Sequence, residues 1–153
     1  MAKEYSSAES VEQIASGLIP NHHPELANAR IMYCFVSAAG SKGGVEILGK
    51  AKKMSGFTEW ALERDFVIEV ALDRWNELGP AQRTALIDHL LERCTGEEDE
   101  QNGEMKYKIR EPEVNEFATI LERHGAWNDS LTNLVSVAQH IELDQVIGEE
   151  AEV

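Results

Sequence analysis

Two short apolar runs, "ARIMYCFVS" at 29–37 and "DFVIEVAL" at 65–72, constrain the fold most. The first is rich in β-formers and almost free of charge, which suits a buried strand; the second is a further strand. Between them "VEILGKAKKM", 45–54, sets Val45, Ile47 and Ala51 against Glu46, Lys50 and Lys52, a strand with one charged face. "MKYKI", 105–109, reads as a short edge strand. The other periodic segments are helical. In 8–18, Val11, Ile14, Ala15 and Leu18 follow the i, i+3, i+4, i+7 spacing, with Ser7 as cap and Ser10 three residues on. Pro20 and Pro24 are expected to end that helix and leave "NHH", 21–23, in a solvated loop.

Further on, "FTEWALER", 57–64, fits a short helix or a loop, and "DRWNEL" continues the third strand as a helix. Gly79 and Pro80 break that segment, and Pro80 opens the next helix at its first turn. This helix runs to about Cys94, with Ala81, Ala85, Leu86, His89, Leu90 and Arg93 along its inner side. "TGEEDEQNGE", 95–104, is polar and glycine-bounded, the clearest loop in the chain. Pro112, Val114, Phe117, Ile120, Leu121 and the stop at Gly125 predict a helix over 111–125. A last helix covers 129–147. The fold class is α+β: a short, mostly N-terminal sheet packed by the 81–94 helix and two C-terminal helices.

At 153 residues a single domain over 1–153 is expected, with a core at 8–147 and an acidic tail at 148–153. No apolar run nears 18 residues, which excludes a membrane span, and the N-terminus lacks a signal peptide's apolar stretch, so the expected location is the host cytoplasm. Cys34 and Cys94 form no framework and are expected reduced and partly buried. Trp60, Trp75 and Trp127 read as core anchors. "AAGSKGG" lacks the strand and helix that flank a phosphate-binding loop. No nucleophile elbow is present, and neither cysteine has an adjacent histidine.

The motif that bears on chemistry is "DHLLERC", 88–94. A helical zinc-peptidase site needs H-E-x-x-H, because positions i and i+4 bring two imidazoles to one ion and the glutamate polarises its water. Here His89 would be the first ligand, Leu90 stands at the base position and Arg93 at the second ligand. Leucine cannot activate water, and arginine places a cation at the ion's seat. His89 and Glu92, at i and i+3, remain as remnant ligand positions, with Cys94 and His124 as further donors.

The order "ASGLIPNHHPELANARIMYCFVS … GKAKKMSG … DFVIEVALDRWNELGPAQRTALIDHLLERC … EVNEFATILERHGAW" resembles the phage metallopeptidase family across about 8–135. "ALIDH" and "EFATILERHGAW" are its specific parts. The resemblance implies a zincin-like scaffold with a "DHEL-x-H" helix and a downstream "HDVEEF…RHG-W" helix that supplies another histidine. His89 matches the first ligand, Leu90 replaces the glutamate and Arg93 the second histidine. Pro112 and Glu113 stand at the downstream histidine and aspartate. One of three ligands survives, which implies a catalytically inactive member with no catalytic residues, no bound metal and no cofactor.

Charge suggests what such a protein does instead. The formal net charge is −14, of which residues 95–153 carry −11. Such a field repels nucleic acid and membrane surfaces and attracts basic proteins. The candidate partner-binding residues are Glu97, Glu98, Asp99, Glu100 and Glu104 in the loop, with Glu111, Glu113 and Glu116 after it. The expected role is protein binding, as a phage-encoded acidic inhibitor that mimics nucleic acid to block a host anti-phage defence complex (anti-CRISPR or anti-restriction). The alternatives are a residual metal-dependent peptidase with unconventional ligands and a phage structural or regulatory module.

Overall fold

The computed structural model describes residues 2–151, with side chains to residue 141. The chain divides into two compact units, one up to Arg110 and one from Glu111 onward. The expected acidic tail falls partly inside the last helix, which runs to Ala151; residues 152–153 lie outside the described residues. No described helix is long and apolar enough to cross a membrane. The α+β class holds.

The first unit is built on a four-stranded sheet in the order β1-β2-β6-β5. Its members are β1 (Tyr5–Ser7), β2 (Ile31–Val36), β5 (Gly49–Lys53) and β6 (Phe66–Ala71). Strands β2 and β6 pair in parallel, from Ile31 opposite Phe66 to Val36 opposite Ala71, and β5 runs antiparallel along the other side of β6. The two runs richest in β-formers therefore form the centre, where burial on both faces rewards them. On β6, Phe66, Ile68 and Val70 are fully buried, while Glu69 on the opposite face takes Lys52 of β5 at 3.2 Å. Strand β1 has no apolar alternation, and its pairing with β2 leaves no sequence signal.

Two helices cover the sheet: α1 (Glu9–His22) and α4 (Pro80–Arg93). Helix α1 does not stop before Pro20, as expected, but continues through it to His22. Pro20 lies in the last turn, and the chain leaves helical geometry only at His23, the residue before Pro24. Its first turn has no side-chain cap, so the expected Ser7 cap is not used. Between the central strands lie a hairpin of β3 (Gly40–Lys42) and β4 (Val45–Ile47), and the short helix α2 (Gly56–Leu62). The glycine-rich stretch read as a loop is this hairpin. Gly43 and Gly44 both adopt positive φ, 59° and 81°, which a two-residue hairpin turn requires. The strand expected over 45–54 is accordingly split into β4 and β5 at Leu48.

A single turn, α3 (Leu72–Trp75), follows β6. Trp75 is buried against Phe35, but Trp60 is 76% exposed and Trp127 58%, so two of the three tryptophans are not core anchors. The acidic stretch after α4 is not a loop either. It forms β7 (Cys94–Glu98), paired antiparallel with β8 (Met105–Ile109), and only the residues between them turn. Lysines cross from its acids: Lys106 Nζ is 2.9 Å from Asp99 and Lys108 Nζ 3.8 Å from Glu97, and cross-strand pairs of opposite charge favour a strand.

In the second unit, the helix expected over 111–125 is shortened to α5 (Ala118–His124). Glu116 accepts the Phe117 N–H at 2.8 Å and the Trp127 indole N–H at 3.2 Å, and Phe117 itself is extended (φ −78°, ψ 137°). Gly125 stops the helix with φ 67°, its N–H on Leu121 O. Helix α6 (Asp129–Ala151) is opened by Asn128, whose side-chain oxygen accepts the Leu131 N–H at 2.9 Å.

Candidate functional site

Helix α4 buries Ile87, Leu90 and Leu91, and Cys94 just past its end continues the i, i+3, i+4, i+7 stripe. That stripe is rotated from the one expected through Ala85, His89 and Arg93. Four apolar side chains go inside instead of a histidine and an arginine, the better choice for burial. His89, expected on the inner side, is therefore exposed. Leu90 is 1% exposed and packs where an added Cβ on Gly49 of β5 would meet it at 2.7 Å. The absence of a side chain at Gly49 lets α4 lie this close to the sheet edge.

The same rotation presents Asp88 and Glu92, one turn apart, to His23, which was expected in a solvated loop. His23 ends α1 and is 1% exposed, not solvated in a loop as expected. The cause is local. Pro24 disfavours helical geometry for the residue before it, and His23 sits at φ −134°, ψ 58°. The chain turns sharply into a short 3-10 turn, Pro24–Leu26, pinned by the fully buried Leu26. The imidazole is thereby turned inward, while His22 stays exposed.

His23 Nε2 donates to Asp88 Oδ1 at 2.6 Å, and Nδ1 lies 3.5 Å from Glu92 Oε2. Glu92 in turn accepts from Arg110 Nη2 at 2.6 Å, and the Arg110 N–H bonds Arg93 O at 2.7 Å. This chain of contacts ties α1, α4 and β8 together around a buried ring. The signals available in the sequence were the His23–Pro24 dipeptide and the i, i+4 spacing of Asp88 and Glu92.

A second feature lies beside the C-terminal end of α4. A cleft of about 580 Å³ is lined by Arg93, by Lys50 and Lys52 of β5, and by Lys42 of the hairpin. Val45, Ile47 and Ala51 supply its apolar part, and among the described residues no carboxylate lines it.

These residues do not fit a zinc ion. Of the expected remnant positions, His89 is exposed, and Glu92 is engaged by His23 and Arg110. His23, Asp88 and Glu92 cannot all share one ion, since the two carboxylates sit on opposite nitrogens of the ring. Burial pushes the Cys94 thiol up to about 12, so it offers no thiolate. At the position expected for a second ligand, Arg93 stands in a cleft with three lysines, which repels a divalent cation. Among the described residues, no group of three or more His, Cys, Asp or Glu side chains is arranged to hold an ion. His124 belongs to the second unit, on α5, and is exposed.

The acids singled out for partner binding divide by their engagement. Asp99 is held by Lys106 and accepts the Gln101 N–H at 2.8 Å, and the lysine's hydrogen bond keeps its carboxyl below the ordinary range. Glu97 faces Lys108. Glu98, Glu100 and Glu104 are exposed and their side chains make no hydrogen bond or ion pair among the described residues. Glu111, Glu113 and Glu116 lie in the second unit, Glu116 holding Phe117 and Trp127.

No curated protein and no solved structure matches the chain. A family model described as "Putative phage metallopeptidase" matches residues 3–139, nearly the whole length, and the chain belongs to that family.

Proposed function

We propose that this member of the phage metallopeptidase family acts by holding a partner protein, not by cleaving one. The observation that carries the reading is the end of α4. The position for a water-activating glutamate is Leu90, buried against β5, and the position for a second ligand is Arg93, in a cleft lined with cations. Leucine cannot activate a metal-bound water, and a guanidinium cannot serve as a metal ligand.

The partner in this reading is a basic host protein, a nucleic-acid-binding complex of anti-phage defence in the host cytoplasm. The acidity of residues 95–153 supports it, since such a surface steers a basic groove built for phosphates. Within the first unit the contact falls to Glu98, Glu100 and Glu104 of the β7–β8 hairpin, whose charges are not spent on neighbours.

The test is a triple substitution, Glu98→Gln, Glu100→Gln and Glu104→Gln, with binding measured against a purified basic nucleic-acid-binding defence complex. Melting should stay within about 2 °C of the parent, because exposed charges contribute little. Affinity should fall at least about tenfold, chiefly through slower association, and the parent's own binding should weaken as salt rises. A variant that binds as well as the parent sinks the acidic-face reading. Zinc-dependent cleavage of the partner by the parent sinks the non-catalytic one.

A further inference from the structure

The cationic cleft beside α4 is a strongly basic feature on a chain of net charge −14, and its shape is as informative as its charge. It opens along β5, which stands at the edge of the sheet. The Ala71 N–H bonds Leu48 O at 2.9 Å and the Met54 N–H bonds Asp65 O at 2.8 Å, so even-numbered residues here face β6. By the alternation of an antiparallel ladder, Gly49, Ala51 and Lys53 direct their N–H and C=O groups outward. Among the described residues no main-chain bond closes that edge. Gly49 and Ala51 line the cleft.

We propose that this cleft binds an acidic peptide segment in extended conformation, added as a fifth strand along β5 with its carboxylates held by Lys42, Lys50 and Lys52. The outward N–H and C=O groups of β5 alternate as donors and acceptors, which only another peptide chain can match. A nucleic-acid backbone offers acceptors alone and would leave the carbonyls unpaired, and the net charge opposes it. Lys42 and Lys50 have no ion-pair partner among the described residues, and Lys52 shares only Glu69, so their charge is available to a ligand. Val45 and Ile47 of the hairpin give the occupant's apolar side chains a wall. Strand β5 runs Gly49–Lys53, which at roughly 3.3 Å per residue spans a core of about five peptide residues. This site uses other residues and the opposite charge from the acidic hairpin, and stands whether or not that hairpin binds a partner.

Fluorescence anisotropy on the full chain tests the proposal, with a labelled seven-residue peptide of alternating Glu and Val as probe. Two controls accompany it: the same peptide with Lys for Glu, and one N-methylated at alternate amides so that it cannot pair with a strand. The acidic peptide should bind at least about tenfold tighter than either control. The exposed double variant Lys42→Glu/Lys50→Glu should keep its melting temperature and lose at least about tenfold in affinity for it. Equal binding of the lysine peptide, or an unchanged affinity in the double variant, overturns the proposal. Equal binding of the N-methylated peptide, or displacement by inorganic phosphate at the probe's own concentration, reduces the cleft to a plain anion site and overturns it too. A short oligothymidylate that binds as tightly as the acidic peptide also overturns it.

Discussion

A buried imidazole with a carboxylate on each nitrogen is costly to disturb from either side. Removing His23 leaves a cavity behind α1 and strips Asp88 and Glu92 of a shared partner, while removing Asp88 leaves a buried ring nitrogen unsatisfied. His23→Ala should therefore destabilise the chain by about 2 kcal/mol in urea denaturation, a charge-assisted hydrogen bond plus lost packing. His89→Ala, on the exposed side of α4, should change stability by less than about 0.5 kcal/mol. A larger loss at His89 than at His23 contradicts the placement. The sequence favoured His89 because a motif pointed to it. His23 was hidden because its burial depends on a proline turn and on the rotation of a distant helix.

A second residue gives a pH signature. Burial pushes the Asp65 carboxyl up, but hydrogen bonds from the Arg30 side chain and main chain, with the guanidinium's charge, hold it below the ordinary range. Its folded value is thus lower than the unfolded value of about 3.9. The stability it contributes is present above that value and is lost as pH falls through the folded one. Urea midpoints taken from neutral pH down to about pH 2.5 should drop below about pH 4, and Asp65→Asn should be less stable at neutral pH with a shallower drop. A variant with the parent's acid profile removes Asp65 as a source.

At the scale of elements, the close approach of α4 to β5 sets both the buried leucine and the cleft beside it. A Cβ at Gly49 would meet Leu90 Cδ1 at 2.7 Å and Glu69 O at 3.0 Å, so neither helix nor strand can accept it unmoved. Gly49→Ala should cost roughly 1–3 kcal/mol by urea denaturation, the range for overpacking a core. Leu90→Ala in the same background should recover part of the space, and a Gly49→Ala chain as stable as the parent would refute the tight contact. The central strands and α4 were legible because β-formers, a proline start and apolar spacing agreed there. The β3–β4 and β7–β8 hairpins were not, because glycine and acid content masks strands held by turn geometry and cross-strand lysines. The short α5 was misjudged for a related reason: Glu116 serves Phe117 and Trp127 and so draws the chain out of helix.

For the whole molecule, family membership and residue chemistry point in different directions. The matched model spans residues 3–139, and the positions where motif spacing would place a glutamate and a second histidine hold a buried leucine and an arginine among lysines. Fold carries over between relatives more readily than a site does, since the site depends on a few side chains and the fold on many. Spacing placed Leu90 and Arg93 where an H-E-x-x-H site would need glutamate and histidine, but it did not reveal the cationic cleft at the end of α4, which gathers Lys42, Lys50 and Lys52 from two elements apart from Arg93. The most direct test of a non-catalytic scaffold is the metal content of the full chain, measured by mass spectrometry after dialysis against micromolar zinc. A non-catalytic scaffold should hold well under one equivalent of zinc per chain; one tightly held equivalent, released by chelator with loss of folded structure, would contradict that reading.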